Sequence, residues 1–74
     1  QVTYDYQLTG KIRGERFTIQ SFWNHEMKEI YLNNKRIGIV KGKTDPENFI
    51  IVNDATNASI MKELLLIAYN KFLL

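Results

Sequence analysis

The sequence predicts an α+β fold: an antiparallel β-sheet of about five strands, curled or forming a half-barrel, followed by one hydrophobic C-terminal α-helix. Three observations predict it. Between residues 2 and 53, short runs of alternating apolar and polar residues are separated by turn signals. From about 55 to 73 the period changes to that of a helix, and most of the positions are apolar. The 74 residues include no cysteine, so neither a disulfide nor a thiolate metal site can supplement so small a core. The chain reads as a single small domain or half-domain. Its shortage of core must be met by tight packing, a ligand or a second subunit.

The strands follow in order. Tyr4, Tyr6 and Leu8 alternate with polar residues, predicting a strand over Val2–Thr9. Gly10 and Gly14 bracket Lys11-Ile12-Arg13, read as a bend or bulge. Arg16–Trp23 is the next strand, with Phe17 and Ile19 on one side. Met27–Leu32 and Arg36–Lys41 form the clearest hairpin, turning at Asn33-Asn34 or Asn34-Lys35, since Asn tolerates the positive φ of a tight turn. Either register is expected to place Ile30 and Leu32 on one face with Ile37 and Ile39. Met27, Glu29 and Tyr31 then lie opposite, beside Arg36, Gly38 and Val40. Asp45-Pro46-Glu47-Asn48 is a turn, and Phe49–Val52 an apolar strand expected to be buried on both sides.

Asn53, Asp54, Thr56 and Asn57 offer N-caps for the helix. At 100° per residue, Ser59, Lys62, Glu63 and Asn70 share one narrow face with Leu66. The remaining circumference, about 240°, is apolar, against a stripe of little over ~100° for a helix lying on one sheet. Such a helix requires a surround: a curled sheet, a second protomer or lipid. A membrane-surface helix usually carries a broad basic face, and this one has only Lys62 and Lys71. Burial within protein is therefore preferred.

Net charge is +2, unevenly distributed. Residues 1–43 hold eight Lys or Arg against four acids, and residues 44–74 hold two against four. This favours an anionic partner, although lysines on a solvated sheet also discourage edge pairing. Lys35, Arg36, Lys41 and Lys43 lie around one hairpin and, with Arg16, are the candidate anion- or lipid-binding residues. Trp23 at a strand end, with Leu65, Leu66, Phe72 and Leu73 on the helix, are candidate interface residues.

Catalytic chemistry is not legible. The lone His25 has no fixed partner in sequence, because neighbouring Glu26 would point to the other face of a strand. Ser21 and Ser59 sit in no nucleophile motif. No ligand spacing suggests a metal, and no cofactor is implied. Gly38–Lys43 lacks the glycine spacing and following helix of a phosphate loop. Neither ribonucleoprotein motifs nor a helix-turn-helix is present, which argues against sequence-specific reading of nucleic acid.

Phe17-Thr18-Ile19, the segment Glu29–Lys43 with Gly38 and Lys41, Asn48–Val52 and the apolar Met61–Ala68 follow one another in an order that resembles the tubby C-terminal-like superfamily. That superfamily includes LURP-one-related proteins and phospholipid scramblases. The resemblance covers about residues 8–74 and implies a closed barrel threaded by an apolar helix. The family barrel has two similar β-rich halves and this chain supplies about one, so the resemblance implies a homodimer or part of a larger chain. It also implies association with anionic, phosphoinositide-like membrane lipid through the Lys35–Lys43 hairpin. The calcium-binding segment and palmitoylated cysteines of scramblases have no counterpart. The expectation is therefore a non-catalytic binding module, cytoplasmic and peripheral at the membrane, with a protein or anionic lipid as partner. The alternatives are a small phage or bacterial accessory protein acting by protein–protein contact, and a non-specific nucleic-acid binder.

Overall fold

In the computed structural model, which describes residues 3–43, 48–51 and 58–72, five strands follow one another as a meander. They are β1 (Tyr6–Ile12), β2 (Glu15–Phe22), β3 (Met27–Leu32), β4 (Lys35–Lys41) and β5 (Asn48–Ile51). Each pairs antiparallel with its neighbour in the chain, giving one sheet in the order β1-β2-β3-β4-β5. The single helix α1 (Ala58–Phe72) follows. The α+β class, the antiparallel sheet and the C-terminal helix are as the sequence predicts. Val2, the turn at 45–47, Val52, the helix caps at 53–57 and Leu73 lie outside the described residues, as do the side chains of Phe49–Ile51 and Phe72.

The first hairpin departs from expectation. β1 runs on through Gly10 to Ile12, and the turn is Arg13-Gly14, both with positive φ (51° and 81°). Positive φ at both central residues matches the twist of a two-residue hairpin. Gly10 is no bend: it sits mid-strand opposite Phe17, whose ring lies across it. A Cβ at Gly10 would come within 2.8 Å of the Phe17 ring. Gly10→Ala should therefore displace a buried aromatic and cost about 1–3 kcal/mol, readable as a lowered urea midpoint.

The second hairpin turns at Asn33-Asn34, with φ of 51° and 67°, which decides between the two registers the sequence left open. It also contains a bulge. Ile30 pairs with Gly38 and Tyr31 with Arg36, so Ile37 is the extra residue. Beyond it every side chain changes face. Ile37 and Val40 are buried, while Ile39 lies opposite Glu29 and is only half-buried. The predicted grouping of Ile37 with Ile39, and of Val40 on the opposite face, is thus corrected.

The core lies between one sheet face and α1. Phe17, Ile19, Ile30, Leu32, Ile37 and Val40 meet Ile60, Met61, Leu64, Ala68 and Tyr69. The exposed side of the helix carries Ser59, Lys62, Glu63, Leu66 and Asn70, which is the narrow face read from the sequence. Leu65 and Ile67 are half-buried. The surround that the apolar helix requires is largely the sheet of its own chain. At the other side, the Arg13 guanidinium bonds Ser59 Oγ (3.0 Å) and Glu63, fastening the first hairpin turn to the first turns of the helix.

Candidate anion-binding face

Strand alternation sends one set of side chains to the helix and the other to the helix-free face. On that second face β1 presents Gln7, Thr9 and Lys11, paired across to Gln20, Thr18 and Arg16 of β2. β3 adds Glu29 and Tyr31, and β4 adds Arg36 and Lys41. Four cations thus stand on a face whose carboxylate, among the described residues of these four strands, is Glu29. That carboxylate is already engaged: it accepts from Arg36 Nη1 (2.8 Å) and from the Tyr31 hydroxyl (3.2 Å). Burial, reinforced by Glu29, pushes the Tyr31 phenol above its ordinary pKa, so it remains a protonated donor.

Lys11 and Arg16 sit directly opposite each other, and no described carboxylate pairs with either. Two like charges opposed across a strand pair are mildly repulsive. Beside them are two adjoining depressions. One of about 410 Å³ is lined by Thr9, Gly10, Lys11, Arg16, Thr18 and Asn34. The other, of about 310 Å³, is lined by Gln7, Thr18, Gln20, Tyr31 and Asn34. Asn34 lines both, and its neighbour Asn33 latches the second hairpin turn to β2. Asn33 N–H donates to Arg16 O (2.8 Å), Arg16 N–H donates to Asn33 Oδ1 (3.3 Å), and Asn33 Nδ2 donates to Glu15 (2.8 Å).

The predicted basic set does not form one patch. Lys35 and Arg36 stand at the Asn33-Asn34 end of the hairpin, near Arg16, while Lys41 and Lys43 stand at the far end. Lys41 lies six positions along the strand from Lys35, roughly 20 Å. Arg36 is paired with Glu29. Lys11, which sequence reading placed in a bend, joins Arg16 instead. The signal was present: with the turn at Arg13-Gly14, Lys11 must oppose Arg16.

At the other end of the sheet is a polar cluster that sequence reading missed. Lys28 has no accessible surface. Its Nζ donates to His25 O (2.6 Å) and Gly42 O (3.0 Å) and lies 4.4 Å from the Tyr69 ring centroid. The Tyr69 hydroxyl also donates to Gly42 O (2.8 Å). No described carboxylate pairs with Lys28, and burial draws its pKa below the ordinary lysine value, Glu26 opposing. Lys28 shares its parity with Ile30 and Leu32, so alternation alone puts it on the core face.

His25 has partners after all. Its Nδ1 lies 2.9 Å from Ser21 Oγ, and its ring stacks on Tyr6 at 4.3 Å. Burial, with the charges of Lys28 and Lys43, holds its imidazole below the usual range, and Asp5 opposes this. Ser21 is fully buried, so this Ser–His pair presents no accessible nucleophile. Trp23, Asn24 and His25 all have positive φ (52°, 53° and 73°), and Asn24 N–H donates to Asp5 Oδ2 (2.8 Å). The turn leaves Trp23 58% exposed. Of the other interface candidates, Leu66 is exposed and Leu65 half-buried on α1. Among the described residues no group of His, Asp and Glu is placed to hold a metal, and no described helix is long and apolar enough to cross a membrane.

Comparison of the chain with protein-family models, with curated proteins and with solved structures finds no match.

Proposed function

We propose that the chain is a non-catalytic binding module whose helix-free sheet face engages an anionic membrane surface. The observation that carries this reading is the charge of that face: Lys11, Arg16, Arg36 and Lys41 against Glu29, which Arg36 already neutralises. By register the face also carries Phe22, Met27 and Ile39 towards one end, and its excess positive charge suits a planar anionic array. The helix occupies the opposite face, so membrane contact would leave the core covered. The resemblance to the tubby C-terminal-like superfamily points to the same partner class, although the cations concerned are spread over three strands and not confined to one hairpin.

Flotation with vesicles tests this. Binding is expected to phosphatidylserine-containing vesicles, absent with phosphatidylcholine alone, and weakened by salt. Each basic side chain near such a surface contributes about 1 kcal/mol. Replacing Lys11, Arg16, Arg36 and Lys41 together by Gln should then weaken binding about a thousandfold. Retained binding by that variant would overturn the reading. Capture of nucleic acid, without vesicle binding and with steep salt dependence, would replace it with the nucleic-acid alternative.

A further inference from the structure

We infer that the outer edge of β1 takes up an extended acidic segment of another protein as an added strand of the sheet. This edge is the rim of the sheet, distinct from the broad face assigned to the membrane. β1 stands first in the sheet order and, among the described residues, pairs with β2 alone. The hairpin decides which of its backbone groups point outward. The two-residue turn Arg13-Gly14 makes Ile12 and Glu15 a hydrogen-bonded pair, and such pairs alternate along the ladder with non-bonded ones. Lys11 and Arg16 are therefore a non-bonded pair. The backbone of Arg16 agrees, because its N–H and C=O both bond Asn33, on the side away from β1. The N–H and C=O of Gln7, Thr9 and Lys11 thus point away from β2, and no described group bonds them. Such a row is usually blunted by proline, a bulge or brevity. β1 has seven residues, no proline and an unbroken register against β2, and the bulge of this sheet is in β4.

The two faces of the edge define the segment that fits it. On the helix-free face Lys11 and Arg16 are opposed with no described carboxylate paired to either, so a carboxylate on the added strand relieves their repulsion. On the helix side, Leu8 packs half-buried against the core and the Phe17 ring lies across Gly10. An apolar side chain opposite these two residues extends the core. A strand with acidic residues on one face and apolar residues on the other meets both conditions. A second copy of this chain does not, since neither β1 nor β5 carries a carboxylate.

The test is titration of the intact chain, without vesicles, with a capped peptide of alternating valine and glutamate matched in length to β1. Amide hydrogen exchange reads the result. The amides of Gln7, Thr9 and Lys11 are expected to exchange freely in the unliganded chain and to become protected on binding. Those of Leu8 and Gly10, bonded to β2, are protected throughout. A peptide with lysine in place of glutamate should bind at least about fivefold more weakly. Thr9→Pro removes an outward N–H without breaking a bond to β2, a place where an edge strand tolerates proline. It should fold and weaken the peptide at least about tenfold. N-methylation of the peptide on alternate amides repeats the test with the protein unchanged. Methyl groups in the phase that faces β1 should abolish binding, and those in the other phase should leave it intact. Failure of the peptide to bind, protection away from β1, equal affinity of the two methylated forms, or equal binding of the lysine peptide overturns the proposal. Self-association of the free chain that Thr9→Pro abolishes also overturns it, and assigns the edge to a second copy.

Discussion

Leu64→Ala is expected to lower stability by about 2–5 kcal/mol. Leu64 is fully buried in the middle of α1, where the helix meets the sheet. Truncation loses the transfer energy of the removed carbons and leaves a cavity that a small core, bounded by β-strands on one side, can close only in part. A chain of 74 residues has a total stability of roughly 4–11 kcal/mol. The variant should therefore be partly unfolded at room temperature, or show a urea midpoint reduced by about half with an unchanged slope. The contrast is Leu66→Ala. Leu66 is 66% exposed, and its truncation should change stability by no more than about 0.5 kcal/mol. Equal effects at the two positions would mean that α1 is rotated from the seat described.

Lys28→Ala is expected to cost about 3 kcal/mol. The change removes a buried aliphatic stem worth about 0.8 kcal/mol per methylene, and it leaves His25 O without its ammonium donor. Relief of a desolvated charge offsets part of this. Gly42 O keeps the Tyr69 hydroxyl. Lys28→Met preserves the volume and should cost only about 1 kcal/mol. The two variants also separate packing from charge through pH. The folded-state pKa of Lys28 is lowered, so the unfolded chain binds more protons in the interval below about 10.4. The group's penalty is complete below the folded pKa. It disappears as pH rises through that value towards the unfolded one, so stability gains with pH in this window. Tyr31, whose pKa is raised, acts with the opposite sign at alkaline pH. The quantity to measure is accordingly the difference between parent and Lys28→Met denaturation curves across pH. That difference should shift in favour of the parent as pH approaches 10; a flat difference would show that the burial of Lys28 does not perturb its titration.

Much of the fold was legible because alternation and helical periodicity are local. β3 was read with its observed limits, and the exposed face of α1 residue by residue. What escaped depended on a single inserted or misread position. Ile37 is an ordinary β-branched residue that nothing in the local sequence marks as a bulge, yet it reverses the faces of Ile39 and Val40. Gly10 carries the usual mark of a bend, but the partner that makes it a strand residue is Phe17, across the hairpin. The cross-strand placement of Lys11 escaped for the same reason. With Gly10–Gly14 read as a bend, Lys11 has no cross-strand partner, although the observed register sets it opposite Arg16. That Arg16 stands opposite Lys11 depends on register. Lys28 was legible from parity alone; its charge obscured its burial.

The meander topology bears on how quickly this chain finds its structure. Every strand pairs with the strand just before or after it in sequence, so three hairpins can close with short loops before any distant segment is recruited. The described part of α1 begins only a few residues after β5, and its return over the sheet to the level of Arg13 is the long-range step. Local pairing should therefore come early in folding and helix docking late. Core truncations on α1, Leu64→Ala among them, would then act mainly by accelerating unfolding, whereas changes in the two-residue turns would slow refolding.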